Sequence, residues 1–539
     1  MSFEVRERDL LARIGRFKTK SGTVETPLFL PVVNPAIQPI SPKKMHDAFG
    51  CSALITNAYI VKKHFGKEAI DKGVHRLLDF DGVIMTDSGA YQILLYGGVK
   101  VTPEEIVQYQ EQIDTDIATI LDVPTGWTVS KQYARHTVNE TMKRAKDLAE
   151  IKTRADIAWV GPIQGGQYLD LVALSARETG KLPFHVHALG SPTPVMEQYL
   201  FDTLVDMVMT AKMNLPIERP LHLFGAGHPF MFALAVALGC DLFDSAAYAI
   251  YAREDRYMME HGTVRLKKLQ YLPCSCPVCT VNDLESVRRM PKAKRQEKLA
   301  EHNLYVSLSE VKRIKQAIIA GRLWEHLEMR AHGHPALFKA LKKLGKYSEY
   351  VEKNSPVVKR SGLFFFSSVG LNRPEIVRHR KRIKNYLSPR EAKTLVLLPQ
   401  TRNKPFHKSR EQERLFREIR QKLNGKMNRV HICTYAAPFG VVPTELDEVY
   451  PLSQYEVTTP FDAEMKDYTA EQVASYIKAT PHKKVILLKD TENWGETIYK
   501  ACKKIGRRKG IKTTVLHSKN LWSKHMVENL VAVIQEAVE

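Results

Sequence analysis

The stretch "GVIMTDSG", Gly82 to Gly89, is a short apolar run that ends in an acid, a hydroxyl and a glycine. Six further stretches of the first half share that form. They are "ALITNAY" from Ala53, "IATILDVPTG" from Ile117, "AWVGPIQGG" from Ala158, "FHVHALGS" from Phe184, "PLHLFGAG" from Pro220 and "CDLFDSAA" from Cys240. Helical stretches lie between them. "TPEEIVQYQEQI" opens on a capping box, with Thr102 as N-cap and Glu105 three residues on. "VNETMKRAKDLAEI" from Val138 is a second such stretch, and an apolar helical run spans Pro229 to Leu238. Apolar strands alternating with helices imply right-handed crossovers and a parallel sheet. Seven candidate strands in about 200 residues suit a closed (β/α)₈ TIM barrel better than a small open sheet.

The active site of such a barrel lies where its strands end. Those ends carry Asp87-Ser88-Gly89, Asp122, Gln164-Gly165-Gly166, Gly190-Ser191, Gly225-Ala226-Gly227 and Asp244-Ser245. Acids and amides on several ends point to a site rather than to ordinary turns. Asp87 and Asp122 each follow an apolar run, where partial desolvation raises a carboxyl pKa and suits it to proton transfer. An N-cap is the alternative reading, weaker for Asp87 than for Asp122. In "DLFD", Asp241 and Asp244 stand three apart and point to opposite faces of a strand. Asp241 then falls at the stability end, as a capping or buried hydrogen-bonding residue, and Asp244 at the site. Several carboxylates around one mouth suit glycosidic chemistry, in which one attacks the anomeric carbon and another handles the leaving group's proton.

"CSCPVC" crowds Cys274, Cys276 and Cys279 into six residues. Three thiolates so close call for a fourth ligand around Zn²⁺, and a closed set is structural. His302 could supply it; on spacing alone His261 and Cys240 compete.

With 539 residues the chain exceeds one core and predicts at least two domains. The predicted organisation is a barrel over 1–345 with a zinc subdomain at about 270–345, a linker at 346–362 and an α/β region over 363–539. In the last, "SREQERLFREIRQKLNG" reads as a helix capped by Ser409 and stopped by Gly425, and "TAEQVASYI" as one capped by Thr469. The net charge of +21 suits a polyanionic partner, nucleic acid foremost, with solvated cationic faces as the plainer reading. The longest apolar run, Pro229 to Cys240, is shorter than the roughly 20 residues that cross a bilayer. No membrane association and a cytoplasmic location are expected.

Taken together, "DSGAYQ", "LDVPTG", "GPIQGG", "LHLFGAGHP", "DLFDSAAY" and "CSCPVC" with its following His resemble the tRNA-guanine transglycosylase family over about residues 1–345. Its archaeosine-forming branch is the nearer match, and "PTELDEVYPLSQYE" from Pro443 also resembles that branch. The resemblance implies a barrel with one structural Zn²⁺ per subunit. It implies exchange of guanine in the D-arm of tRNA, at position 15, for 7-cyano-7-deazaguanine. By that resemblance Asp244 is the nucleophile and Asp87 the general acid and base. Asp122 and Gln164 bind the base edge, Ser88, Gly190 and Ser191 complete the pocket, and Tyr91 and Phe224 sandwich the ring. Cys274, Cys276, Cys279 and His302 match the family's zinc ligands. A homodimer is implied too. The branch usually ends in an RNA-binding PUA module, which is not evident here, so a separate PUA-containing protein is a candidate partner. The rival readings are an anticodon-exchanging, queuosine-type enzyme and a non-catalytic tRNA-binding paralogue; the presence of all three acids opposes the latter.

Overall fold

The computed structural model describes residues 1–90, 101–386 and 392–539. They form two compact units, 1–347 and 348–539. The first is built on eight parallel strands: β1 (Leu28–Val33), β2 (Ala53–Asn57), β3 (Val83–Asp87), β4 (Ile117–Thr119), β5 (Ala158–Ile163), β6 (Val186–Leu189), β7 (Leu221–Leu223) and β8 (Leu242–Ser245). They close in chain order, with β8 pairing to β1. All seven strands read from the sequence are present. The eighth, β1, was not foreseen. Its run is broken by Pro31, and a proline normally demotes an apolar run from strand status.

The barrel interior is filled by residues two apart on each strand. Leu28 and Leu30, Ala53 and Ile55, Val83 and Met85, Ala158 and Val160, Val186 and Ala188, and Leu242 share one core with Phe17 and Val24. Phe17 and Val24 come from a three-stranded antiparallel sheet, Ser2–Asp9, Ala12–Lys18 and Thr23–Glu25, which closes the barrel floor. Extending the same alternation toward the carboxyl ends brings Asn57, Asp87 and Asp244 inward at the mouth. Asp241 lies at the other end and the other phase. It is buried, accepts from Arg13 Nε at 2.9 Å and from the Leu221 amide at 2.9 Å, and so ties the floor sheet to β7.

The predicted helices around the barrel are present. Thr102 and Glu105 form both halves of the capping box of helix Pro103–Gln112. Pro229–Met231 is a 3₁₀ turn leading into helix Phe232–Ala237. After β8 the chain adds helix Ala247–Arg253, a hairpin, Arg256–Met259 with Gly262–Arg265, and then helices that include the long Lys292–Ala320 and, after it, Leu323–Ala331 and Pro335–Leu344.

The second unit is an α/β sheet of β9 (Thr394–Pro399), β10 (Val430–Ala436), β11 (Gly440–Pro443), β12 (Lys484–Lys489) and β13 (Lys512–His517), in spatial order 11-10-9-12-13. Only β11 runs antiparallel, to β10. Helices cover both faces. Arg410–Leu423 and Lys524–Val538 pack on one, Ala463–Ala479 and Thr497–Lys509 on the other. Helix Ser348–Asn354 also belongs to this unit. Ser409 caps its helix as expected, accepting from the Gln412 amide at 3.3 Å. Thr469 does not cap one. Helix Ala463–Ala479 begins at Asp462, and the Thr469 hydroxyl donates to the Met465 carbonyl one turn back, at 3.0 Å. The Thr-x-x-Gln pattern of a cap here lies inside a helix whose true start is seven residues earlier. No helix among the described residues is long and apolar enough to cross a membrane.

Candidate active site and metal centre

Three carboxylates converge at the carboxyl end of the barrel. Asp87 is the last residue of β3, Asp244 stands in β8, and Asp122 lies three residues past β4. All three are buried or nearly so. Burial, reinforced by the negative charges of Asp122 and Asp244, pushes the Asp87 carboxyl up to about 7. The backbone amides of Gly89 and Ser88 oppose that rise. Burial likewise pushes Asp122 up to about 6, opposed by its hydrogen bond from Gln164. Asp87 therefore sits where a carboxyl can both give and take a proton near neutral pH.

Asp244 is held differently. Its Oδ1 faces His222 Nε2 at 2.8 Å and accepts from the Gly225 amide at 3.1 Å. Asn57 at the end of β2 donates from Nδ2 to Asp87 Oδ2 at 3.1 Å. Its own Oδ1 caps the following helix through the Ile60 amide, which fixes the side chain's aim.

The wall opposite is built around Gln164. Its Nε2 donates to Asp122 Oδ2 at 2.5 Å, and its Oε1 accepts from the Thr125 amide at 2.9 Å and from Ser191 Oγ at 3.1 Å. That network orients the amide. Ser191 adopts a left-handed φ of 59° to make its contact. Gly190 leaves room for Gln164, since a Cβ there would lie 2.2 Å from Nε2. Ser88 Oγ is fully buried and has no hydrogen-bond partner among the described residues. Phe224 is half-buried beside His222, with ring centroids 4.7 Å apart. Tyr91 lies outside the described residues.

Cys274, Cys276, Cys279 and His302 gather with all four ligand atoms within 4.8 Å of one another. His302 Nδ1 is 3.4 Å from Cys276 Sγ and 3.5 Å from Cys279 Sγ. A tetrahedron with Zn–S of about 2.3 Å and Zn–N of about 2.0–2.1 Å has S–N edges of about 3.5 Å, so the donor set fits. The His302 Nε2–H donates to the Met258 carbonyl at 2.8 Å, which leaves the Nδ1 lone pair for the cluster. Tyr257 stacks on the His302 ring at 3.7 Å and its hydroxyl meets Cys279 Sγ at 3.2 Å. Cys240 and His261 are not part of the group.

Residues 9–336 match the family model described as queuine tRNA-ribosyltransferase, abbreviated TGT. The chain belongs to the queuine tRNA-ribosyltransferase family. It is thus a transglycosylase, and the barrel that carries the three carboxylates is the TGT domain. Residues 376–534 match a second model, described as a domain of unknown function, DUF5591. The chain is 42% identical over 476 residues to a tRNA-guanine(15) transglycosylase of Methanocaldococcus jannaschii, covering 86% of this chain and 70% of that one. It is 44% identical to the protein of that name from Pyrobaculum aerophilum, over 85% of this chain and 90% of that one. The corresponding Saccharolobus solfataricus protein is 40% identical over 90% of this chain and 96% of its own length.

Two TGT-domain residues at the mouth were not foreseen, His222 and Asn57. Both stand inside runs read only for their apolar character. The alternation that places Asp244 inward on β8, applied to β7 through the pairing of His222 with Leu242, identifies His222. The pairing of Asn57 with Asp87 across β2 and β3 identifies Asn57.

Proposed function

We propose that this protein exchanges guanine at position 15 of tRNA for 7-cyano-7-deazaguanine, the base-insertion step of archaeosine formation, through a covalent aspartyl-ribosyl intermediate. The observation that carries the reading is the unequal treatment of the barrel-mouth acids. Asp87 is pushed into the range of proton exchange near neutrality, while Asp244 is gripped at one oxygen by two donors.

In the first half-reaction the Asp244 carboxylate attacks ribose C1′, the C1′–N9 bond of the nucleoside breaks, and the departing guanine takes the Asp87 proton. In the second half the incoming base gives its N9 proton to Asp87 and attacks C1′, and the C1′–Asp244 ester bond breaks. Asp122 and Gln164 hold the base edge, with Ser88 Oγ and the Gly190–Ser191 backbone as further partners. Phe224, with Tyr91, flanks the ring. The target base has to be unstacked and flipped to reach the barrel mouth, at a cost of a few kcal/mol. Phosphate contacts elsewhere offset it. Helix Thr497–Lys509 and the residues after it supply candidates: Lys500, Lys503, Lys504, Arg507, Arg508, Lys509 and Lys512 are all exposed, and no acid falls among them.

The Cys₃His cluster is proposed to hold one structural Zn²⁺. With four protein ligands it offers no open position for chemistry. The protein is further proposed to act as a cytoplasmic homodimer, and a separate PUA-containing protein to assist tRNA binding. The relatives' name, tRNA-guanine(15) transglycosylase, favours tRNA position 15 over the anticodon. Labelled guanine exchange into unmodified tRNA, with the exchanged position mapped, tests the reading. Label at position 15 supports it; label in the anticodon loop, or none, overturns it.

A further inference from the structure

Asp244 meets its two donors on the same oxygen. His222 Nε2 and the Gly225 amide both address Oδ1, and no bond from a described residue reaches Oδ2. His222 itself is 0% exposed, packed in the barrel interior against the Phe224 ring. Its Nδ1 is buried and has no hydrogen-bond partner among the described residues.

These facts assign the tautomer. Nε2 faces a carboxylate oxygen, which only accepts, so the proton sits there. A second proton on Nδ1 would be a buried donor without an acceptor among the described residues, on a charged ring, which burial disfavours. The ring is therefore a neutral Nε2–H donor. A neutral donor orients a carboxylate without cancelling its charge, whereas an imidazolium at 2.8 Å would hold the anion in a tight ion pair.

We infer that His222 is a positioning residue for the nucleophile: with the Gly225 amide it pins Asp244 Oδ1 and presents Oδ2 to ribose C1′. Asp244 would otherwise turn about its χ2 and offer either oxygen along a range of approaches. The two-donor grip removes that freedom before substrate arrives. His222 touches neither the base nor the ribose in this scheme, so it acts on the rate of adduct formation and leaves base affinity unchanged. This inference rests on Asp244 being the nucleophile.

The test compares three variants of the full chain with unmodified tRNA, in a single-turnover assay of the denaturant-stable protein–tRNA adduct. His222→Met keeps bulk and removes the donor. His222→Gln keeps an N–H close to the Nε2 position, whereas His222→Asn places one nearer Nδ1, too short to reach Oδ1. The expected result is adduct formation slowed about 10–100-fold in His222→Met and His222→Asn, the scale of a misplaced reacting group. The KM for guanine stays within about threefold of the parent, and His222→Gln recovers most of the rate. Thermal melting of each variant controls for folding. If His222→Met formed adduct at the parent rate, or if a folded His222→Gln were as slow as His222→Met, the positioning role would be wrong. Asp244→Asn separates the two layers. Normal exchange by that variant would remove the nucleophile reading itself, whatever the His222 variants do.

Discussion

Asp87 links acid chemistry to stability through one sign. Its folded carboxyl keeps a proton up to about 7, while an ordinary carboxyl loses it near 3.8. The folded state thus binds more protons than the unfolded chain between those values, so this group's contribution to stability falls as pH rises through that window. Asp122, raised to about 6, adds a smaller effect of the same sign. Asp87→Asn is expected to stabilise the protein at pH 8 by up to about 4 kcal/mol, with the gain gone below about pH 4. Melting curves at the two pH values check it. The same variant is expected to lose base exchange. In the parent, guanine release should slow as pH rises above about 7, since the proposed first half-reaction consumes the Asp87 proton; a stopped assay of release against pH reads that limb. At the opposite wall, Gly190→Ala drives a methyl into Gln164 Nε2. It should raise the KM for guanine about tenfold or more, with a smaller change in Tm.

At the scale of elements, the barrel was legible because buried parallel strands read as apolar runs that stop at polar mouths. β1 was hidden by Pro31, and its partners β8 and β2 hold it in place where propensity does not. Asp241 and Asp244 separated cleanly because strand alternation is strict: one locks Arg13 to the floor, the other stands at the mouth. Asp122 was harder, since it sits beyond the end of β4 and owes its aim to Gln164 from another element. His222 was invisible as chemistry because a lone His in an apolar run is usually packing; its meaning comes only from the β7–β8 register. The Arg13–Asp241 pair is buried on both sides. Removing one partner leaves an uncompensated charge, so Arg13→Met should lower stability by about 3–5 kcal/mol. In protein that remains folded, the exchange rate constant should be unchanged, which urea melts and exchange assays on the same sample would show.

At the scale of the molecule, the Cys₃His cluster lies between the hairpin after β8 and the long helix Lys292–Ala320, and His302 spans both by donating to Met258. Metal removal with a strong chelator should lower Tm, and adding Zn²⁺ back should restore it. Cys276→Ser should reproduce the loss without metal rescue. The basic run Lys500 to Lys512 makes a separate demand. Reversing Lys503, Lys504, Arg507 and Arg508 to Glu should weaken tRNA binding at least tenfold and flatten its dependence on salt, while single-turnover chemistry at saturating tRNA stays near the parent rate. The proposed mechanism turns on one bond, between Asp244 and ribose C1′. Mass spectrometry of the denatured adduct formed with unmodified tRNA, after nuclease and protease digestion, places the ribose on a single peptide. The expected product is a base-free ribosyl ester on Asp244, absent in Asp244→Asn; a ribose on another residue, or full exchange without any adduct in Asp244→Asn, would contradict the proposed mechanism.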